Sequence, residues 1–495
     1  MSASGKFNIR RLVSALAGLA LCNPIAADEP GHVERRENPS AIQVIDRETG
    51  WPVPLVELRT THNERFVTDN AGWIAFDLPE LMGRETWLSV IADGYEAPAD
   101  GFGFRGVRLT PGPGKKLTVE VKRTSIAKRL GRLTGAGLFA ESQKLGRETD
   151  WPESGVLGCD SVQKTVHRGK LFWAWGDTTI ANYPMGIFHM TGATTAIAPL
   201  AKFEPPLRLE LNYFTDQAGN PRGVAEMPGE GPTWVTGYAS LPDKTGGSRL
   251  VGAYVKIKPP MEAYETGLCA WIDEAEKFEH VRTLWTKTEA SPKHPPMPQG
   301  HSVIVDGEHG NQWLLFGNPL PRLRCPATFE AWQDPSTWET LTPQASFVAV
   351  ADGSTIKPHS GSIAWNEFRQ RWVTVFMQAF GKPSAFGEIW YAEADSPYGP
   401  WGPAVKVLSH KNYTFYNPRI HEFTPSDSRV LLFEGTYTQA FADRPEPTPR
   451  YDYNQILYRL DLDDPKLAPA QRTGRIRTGR FSDQSAQPLD TKLEN

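Results

Sequence analysis

The feature that most restricts the fold of this chain is a pattern that recurs five times between residues 160 and 434. Each copy has a polar or aromatic residue, a short strand, a turn, and an apolar strand that ends on another such residue. Successive copies begin 58 to 74 residues apart, and a further predicted strand pair follows each copy. Four strands in each of five repeats are typical of a β-propeller. The copies are DSVQKTVHRGKLFWAWGD (160–177), WVTGYASLPDKTGGSRLVGAY (234–254), HSVIVDGEHGNQWLLFGN (301–318), HSGSIAWNEFRQRWVTVFMQ (359–378) and NPRIHEFTPSDSRVLLFE (417–434).

The segments around the repeats complete the predicted architecture. We assign the propeller to residues 156–470 and the preceding segment, 124–155, to a linker that also supplies the outer strand of the last blade. The candidate for this closing strand is GAGLFAES, residues 135–142. Residues 471–495 are predicted to be a flexible tail. The predicted fold class is all-β, a five-bladed β-propeller preceded by a small antiparallel β-sandwich.

The predicted sandwich occupies residues 40–123, where apolar and polar residues alternate and turn motifs such as RETGWP and TDNAG interrupt the alternation. This pattern predicts about seven antiparallel strands. The stretches VIDRETGWPVPLVEL, TDNAGWIAFDLP and IADGYE resemble the carboxypeptidase regulatory-like (transthyretin-like) domain. The resemblance implies a structural or accessory module with no chemistry of its own.

The N-terminus is predicted to be an export signal. Arg10 and Arg11 precede the apolar run LVSALAGLALC, and the following PIAAD offers small residues for cleavage. The run is shorter than the roughly 20 apolar residues of a membrane-spanning helix, and no later segment is predicted to cross a membrane. Leu21 is too bulky for efficient lipid attachment at Cys22. We therefore expect residues 1–27 to be removed and the protein to be secreted or periplasmic.

Net charge and cysteine content limit the partners that this chain can have. A formal net charge of -4 argues against nucleic acid, which favours a basic surface. The cysteines that follow the export signal, Cys159, Cys269 and Cys325, give neither a disulfide framework nor a zinc-binding spacing. No cofactor is predicted, and no ligand spacing indicates a channel-bound cation such as calcium. The chain is predicted to act as a monomer.

Strand topology predicts which of the repeated residues lie together. In a propeller blade the innermost strand follows the central channel and the second strand returns antiparallel to it. The start of the first strand and the end of the second therefore share one face, so Asp160 and Asp177 meet at one mouth of the channel. Loops between second and third strands open on this face too. The residues predicted there are Trp234, Tyr254, His301, Asn318, His359, Gln378, Asn417 and Glu434, with Tyr183, His189, Glu265 and Glu388 in the loops.

A carboxylate pair in a concave site with aromatic walls suits carbohydrate chemistry. Cleavage of a glycosidic bond needs one carboxyl group as acid and one carboxylate as base or nucleophile. Two carboxylates in a partly dry cleft have their pKa values pushed apart, which permits this division of roles. Asp160 and Asp177 are the predicted catalytic pair, in an order that the sequence leaves open. Glu434 and Glu388 are the alternative catalytic carboxylates.

The stretches GCDSVQ and GKLFWAWGDTT around these aspartates resemble the first blade of propeller-type glycoside hydrolases, in particular the endo-D-arabinanase-like family. A pair of aspartates in the first repeat of that family is implicated in catalysis, and Asp160 and Asp177 occupy the matching positions. HSGSIAWNEFRQRW, GEIWYAEADSPYGPW and FEGTYT are similar to blades of five-bladed arabinanase- and xylosidase-type enzymes. The resemblance implies a glycoside hydrolase that acts on an extracellular polysaccharide or oligosaccharide.

Substrate contacts are predicted from the polar and aromatic residues of the same mouth, namely Trp234, His301, Asn318, His359, Tyr416, Asn417, Arg419 and His189. Arg419 has two interpretations, a clamp for a uronate or sulfate group and an ion-pair partner of Glu434. Two other functions fit the pattern. One is a non-catalytic carbohydrate-binding propeller. The other is a polysaccharide lyase, in which Tyr416 or His359 removes a proton beside a uronate held by Arg419.

Overall fold

The computed structural model describes residues 38–148, 155–197, 203–411, 413–421, 429–442 and 446–471. The predicted export signal, Cys22 and nearly all of the predicted tail lie outside these residues, so the expectations about them stay predictions. No helix in the described ranges is long and apolar enough to cross a membrane.

Two four-stranded sheets in the described chain form the N-terminal β-sandwich. One sheet has the spatial order Trp73–Phe76, Ser40–Asp46, Lys116–Arg123 and Tyr95–Glu96. The other has the order Arg65–Val67, Glu57–Thr60, Thr86–Ile91 and Gly106–Leu109. Alternating apolar residues of both sheets, such as Val44, Leu58 and Val119, meet in one buried core. The predicted sandwich is present, with one difference: Ser40–Asp46 and Lys116–Arg123 pair in parallel.

Five further four-stranded sheets in the described chain have the strand order of propeller blades. From the inside outward, blade one has Gln163–His167, Lys170–Trp175, Thr191–Ala196 and Asn212–Tyr213, and blade two has Thr233–Pro242, Ser248–Lys258, Glu262–Ile272 and Lys277–Thr286. Blade three has His301–Asp306, Gln312–Gly317, Pro321–Pro326 and Glu339–Thr340, and blade four has Pro358–Asn366, Arg371–Gln378, Glu388–Ala394 and Val405–Ser409. Blade five has Thr414–His421, Val430–Thr438, Asn454–Asp461 and Lys128–Arg132. The predicted all-β fold with a five-bladed propeller is confirmed.

The described residues also form a side sheet, a hairpin and short helical segments outside the sheets of the sandwich and the five blades. Blade one carries a side sheet of Val156–Cys159, Thr178–Ile180 and Tyr183–Ile187. A hairpin of Phe347–Val348 and Thr355–Ile356 precedes blade four. The helical segments of the described ranges include the α-helices Ala140–Lys144 and Phe329–Trp332 and the 3-10 segments Pro79–Leu81, Glu308–Gly310, Pro335–Thr337 and Pro465–Ala470.

Apolar clusters fill the boundaries between neighbouring blades and hold the ring together. Phe172 of blade one packs with Val235 and Tyr238 of blade two in one buried cluster. Another cluster joins Trp173 of blade one to Leu432 of blade five. Similar clusters lie at the other boundaries. Each inner hairpin thus buries apolar residues on both faces of its sheet, which explains continuous apolar strands such as KLFWAW.

The strand that closes the ring is Lys128–Arg132, which pairs antiparallel with Asn454–Asp461 of blade five. The prediction that residues 135–142 close the ring is wrong, because this stretch forms turns followed by the start of a short helix. Its apolar residues Leu138 and Phe139 pack against Trp73 of the sandwich instead.

Arg129, in the middle of the closing strand, connects the sandwich to the propeller. Its buried guanidinium donates hydrogen bonds to the carbonyl oxygens of Pro54, Leu55 and Asp93, at 3.0, 3.1 and 2.5 Å. Its Nε donates to the hydroxyl of Tyr458 in blade five at 3.1 Å. A buried cation is tolerated only when its donors are satisfied, and here the acceptors come from both domains.

Candidate functional site

A cavity of about 730 Å³ opens at the mouth of the channel, on the face where the inner strands begin. Five of the residues predicted for this mouth line it: Asp160, Trp234, His301, Asn318 and Asn417. They come from blades one, two, three and five, so the strand topology alone brings them together. Residues that also line the cavity include Ser161, Gln163, Gly176, Thr236 and Arg322.

Asp160 and Asp177 lie side by side because their backbones are hydrogen-bonded. The amide of Asp160 donates to the carbonyl oxygen of Asp177 at 3.3 Å, and the amide of Gly176 donates to the carbonyl oxygen of Asp160 at 2.8 Å. Ser161 follows with a φ of 52°, a left-handed conformation that is uncommon outside glycine. This kink lies where the chain passes from the side sheet to the inner strand of blade one, and it leaves Asp160 on the cavity wall.

The surroundings of the Asp160 carboxyl group favour its protonated form. Burial raises the pKa of Asp160 to about 6, with the hydrogen bond from Tyr416 opposing the shift and the charge of Asp177 adding to it. The hydroxyl of Tyr416 donates to Oδ2 of Asp160, and Tyr453 supplies a second hydroxyl contact. A carboxyl group with such a pKa holds a proton closer to neutral pH than an ordinary aspartate does, as a general acid requires.

Asp177 is held by the neighbouring blade. The indole Nε1 of Trp234 in blade two donates to Oδ1 of Asp177 at 3.0 Å. Burial raises the pKa of Asp177, and this hydrogen bond opposes the shift. Because Trp234 also lines the cavity, one side chain positions a carboxylate and supplies an apolar wall.

Blade five reaches the site through a bulge in its inner strand. The pairing register shifts between Tyr416 and Arg419, and Asn417 within the bulge has a φ of 50°. The side-chain Nδ2 of Asn417 donates to Oγ of Ser161 at 2.8 Å, which joins the kink of blade one to the bulge of blade five. Tyr416 contacts Asp160 but does not line the cavity itself.

His359 begins the inner strand of blade four, as predicted, but does not line the mouth cavity. The register of the inner hairpin shifts between Pro358 and Ser360, which leaves His359 in a bulge with an exposed side chain. Its ring packs against Phe386, with 5.3 Å between ring centroids. Ser360 is buried and contacts the bulge of blade five, where its Oγ accepts a hydrogen bond from the amide of Asn417 at 3.2 Å.

A buried cluster of ionisable residues lies in the channel behind the mouth cavity. Nη1 of Arg419 lies 2.9 Å from Nδ1 of His301, and Arg419 also donates to the carbonyl oxygen of Lys164. Glu434 is paired with His421, with Oε1 and Nε2 2.9 Å apart. Pairing with Glu434 is one of the two interpretations of Arg419; the structure places Glu434 against His421, while the Arg419 guanidinium extends across the channel to His301 of blade three.

Burial favours the neutral forms of the Glu434 and His421 side chains. It raises the pKa of Glu434 to about 8, although the nearby cations Lys164 and Arg419 lower it. It also lowers the pKa of His421 well below its ordinary value. A protonated Glu434 beside a neutral imidazole satisfies both tendencies. Neither Glu434 nor Asp177 lines the mouth cavity, but Asp177 adjoins Asp160 through its backbone, whereas Glu434 lies against His421 behind the cavity.

Replacing Glu434 with glutamine should flatten the pH dependence of stability. The folded state holds the Glu434 proton up to about pH 8, whereas an ordinary glutamate releases it near pH 4.5. The contribution of Glu434 to the free energy of unfolding should therefore fall as the pH rises through this range, so the stability of the wild-type protein should fall relative to that of E434Q. Urea unfolding followed by tryptophan fluorescence measures both slopes. Equal slopes would contradict a protonated Glu434.

Two other predicted residues lie away from the cavity. Glu388 is buried at the start of the third strand of blade four, where its carboxylate lies 2.6 Å from Nζ of Lys406 and accepts a hydrogen bond from Ser409 at 2.8 Å. His189 precedes the third strand of blade one, and burial lowers its pKa. Its carbonyl oxygen accepts a hydrogen bond from the amide of Val224. The structure thus places both residues within the packing of blades.

Tyr453 and Gly176 approach the Asp160 carboxyl group but were not among the sequence-based candidates. Tyr453 precedes the third strand of blade five, and the rule that selected the other loop residues could have identified it. Gly176 adjoins Asp177 in the sequence, but its close approach to the Asp160 carboxylate is visible only in three dimensions.

Among the described residues, no group of three or more His, Cys, Asp or Glu side chains is arranged to hold a metal ion. Cys159, Cys269 and Cys325 are buried and form no disulfide with one another. Burial raises the pKa of Cys159 well above its ordinary value, which keeps this thiol protonated.

Comparison with known proteins finds no matching family model. No curated protein matches the chain either. Similar solved structures include an exo-1,5-α-L-arabinanase from a bovine ruminal metagenomic library, with 11% identity, a TM-score of 0.36 and coverage of 62% of this chain and 94% of that one. An α-L-arabinanase mutant of Cellvibrio cellulosa has 11% identity, a TM-score of 0.36 and coverage of 61% and 91%. An exo-β-1,3-galactanase from Phanerochaete chrysosporium has 9% identity, a TM-score of 0.35 and coverage of 62% and 61%. At these identities and TM-scores the similarity assigns neither a family nor an activity to this chain.

Proposed function

We propose that this chain is a secreted glycoside hydrolase that cleaves an extracellular polysaccharide or oligosaccharide at the mouth of its propeller channel. The observation that carries the proposal is the pairing of Asp160, on the cavity wall, with Asp177 beside it. The cavity of about 730 Å³ falls within the size range of ligand pockets, roughly 300–1,000 Å³. Secretion rests on the predicted export signal.

The surroundings of the two carboxyl groups support different roles. Asp160, whose pKa is raised to about 6, donates its proton to the glycosidic oxygen as the bond to the leaving sugar breaks. Asp177 acts as the carboxylate, either by taking a proton from the attacking water or by attacking the anomeric carbon itself. The anomeric configuration of the first product distinguishes these two routes, since only the second retains it.

The rest of the cavity wall supports recognition of a sugar. The apolar face of a sugar ring can pack against Trp234, while Asn318, Asn417 and His301 offer directional hydrogen bonds to hydroxyl groups. The contacts give less support to a lyase. Arg419, which would have to neutralise a uronate, is bonded to His301 and to the carbonyl oxygen of Lys164 behind the cavity.

Incubation with a panel of plant, algal and mycobacterial polysaccharides tests the proposal. We expect new reducing ends from at least one polysaccharide, without unsaturated products that absorb in the ultraviolet. Unsaturated products would indicate the lyase. A protein that binds a glycan but releases no reducing ends from any member of the panel would indicate the non-catalytic binding propeller.

Replacing Gly176 with alanine should reduce turnover far more than stability. An added Cβ would collide with Oδ1 of Asp160, the movable end of a side chain, so the carboxylate must turn away. A misplacement of about 1 Å at a reacting group can cost roughly 100-fold in rate. Gly101 provides the control G101A, because a Cβ added there meets open space. Rate assays and thermal unfolding measure both effects, and wild-type turnover in G176A would argue against a catalytic Asp160.

A further inference from the structure

Four aromatic side chains, here called the rim aromatic cluster, gather between blades four and five: His359, Phe380, Phe386 and Phe441. Phe386 lies at the centre of the cluster. Its ring centroid is 5.3 Å from that of His359, 5.3 Å from that of Phe380 and 6.2 Å from that of Phe441. The chemistry proposed above uses none of these side chains.

The rim aromatic cluster lies on the same face as the candidate site. Phe380 and Phe386 belong to the loop between the second and third strands of blade four, and Phe441 belongs to the equivalent loop of blade five. These loops open on the mouth where the inner strands begin. The cluster is thus part of the rim around the channel mouth.

Backbone contacts tie the cluster to the proposed acid. The carbonyl oxygen of Phe386 accepts a hydrogen bond from the amide of Phe415 at 2.8 Å. The next residue along this strand, Tyr416, donates its hydroxyl to Asp160. The cluster is thus joined to the strand whose Tyr416 donates a hydrogen bond to Asp160.

Two members of the cluster have features that packing does not explain. Phe380 and Phe441 are 76% and 77% exposed. Their φ angles are 53° and 63°, in a left-handed region that bulky side chains rarely adopt. Strained backbone of this kind concentrates at ligand sites. An exposed phenylalanine in such a conformation gains nothing from the core, but it presents an open ring face to a ligand.

We infer that the rim aromatic cluster is a second sugar-binding subsite, occupied by the part of a glycan chain that extends from the mouth cavity over blades four and five. The identity of this ligand rests on the proposed function. Sugar rings have apolar faces that pack on aromatic rings, and their hydroxyl groups stay hydrated above an exposed platform. A chain that enters the cavity at Asp160 passes the cluster on its way out, whereas a sugar too short to reach it binds at the cavity alone.

Replacement of the two exposed phenylalanines tests the subsite. The variants Phe380→Asn and Phe441→Asn keep the loops in place, because asparagine tolerates a left-handed backbone. Phe102→Asn is the matched control, since Phe102 is 91% exposed but belongs to the sandwich. All three are made in the Asp160→Asn background, so that the glycan stays intact during the measurement, and thermal unfolding checks that each is folded.

Native gels that contain arabinan, xylan or arabinogalactan measure binding as retardation. We expect Phe380→Asn and Phe441→Asn to raise the dissociation constant about 3- to 10-fold on a gel that retards the parent, as for the loss of an aromatic contact. Phe102→Asn should leave it unchanged. Equal retardation of all variants, or a parent that none of the three gels retards, would overturn the inference. Failure of the proposed function shows separately, as an absence of reducing ends from the wild-type protein.

Discussion

Replacing Asp160 with asparagine is expected to lower kcat/KM for glycan cleavage by about 10²–10⁴-fold, the usual contribution of a general acid or base. Asp177→Asn should cause a loss in the same range. Neither change should lower the free energy of unfolding by much, because burial already raises the pKa of both carboxyl groups. Reducing-end assays measure the activity, and urea unfolding measures the stability.

The two variants should differ in their dependence on the leaving group. Without the acid Asp160, a poor leaving group such as a sugar alkoxide departs slowly, whereas a phenolate leaves with little help. Asp160→Asn should therefore lose much less activity on an activated aryl glycoside than on the natural linkage, and Asp177→Asn should lose as much on both. The wild-type rate should fall as the pH rises through about 6, because the acid then loses its proton.

An exposed carboxylate supplies the control for these variants. Asp463 lies 3.7 Å from Arg429 at the surface, so Asp463→Asn should retain wild-type turnover. Full activity of both Asp160→Asn and Asp177→Asn on a cleavable glycan would remove the carboxylate pair from the mechanism. Loss of folding in either variant would be visible in the unfolding curves and would separate structural from chemical effects.

Replacing Arg129 with methionine is expected to destabilise the protein by about 3–5 kcal/mol, because several buried acceptors lose their donor and each costs about 1–3 kcal/mol when left unsatisfied. The change removes donors to the carbonyl oxygens of Pro54, Leu55 and Asp93 and to the hydroxyl of Tyr458. Buried acceptors that lose their donors keep the full desolvation penalty. The loss should appear in both domains, because the acceptors belong to both.

The control for this variant is Arg108→Met. Arg129 lies over the ring of Tyr458, and Arg108 lies over that of Trp87, 5.3 Å from its centroid, but the Arg108 side chain is largely exposed. Its replacement should cost less than about 1 kcal/mol, as for exposed ion pairs. Urea unfolding at constant pH measures both variants. Equal stabilities of Arg129→Met and Arg108→Met would show that the closing strand does not depend on the buried guanidinium.

The sequence repeat was sufficient to predict the propeller fold. It also predicted that the polar residues at the strand ends lie together at one mouth of the channel. Asp160, Trp234 and His301 are far apart in sequence, yet they line one cavity because they occupy equivalent positions in three blades. The prediction also succeeds at Asn417, which lines the cavity although the inner strand of blade five bulges there. The prediction that these residues meet rests on the structural equivalence of the repeats and not on any local motif.

The sequence did not reveal the placement of His359, the partner of Glu434 or the closing strand, and each has its own physical cause. A one-residue shift reverses the face on which every following side chain lies, and the shift beside Pro358 moves His359 out of the cavity. The partner of Glu434 depends on how far the Arg419 side chain extends, which strand register does not determine. The closing strand depends on pairing between residues 128–132 and 454–461, which the apolar residues of the predicted stretch 135–142 do not indicate.

The closing strand also determines when the propeller ring can close during synthesis of the chain. Lys128–Arg132 leaves the ribosome before any inner strand of the propeller, but its partner Asn454–Asp461 is made after all the other blade strands. Throughout that interval the early strand has an unsatisfied edge, which is the kind of edge that templates aggregation. The adjoining sandwich, which forms from residues already translated, can hold this strand through Arg129 until blade five arrives. The N-terminal domain is thus placed to stabilise the closing strand until the ring is complete.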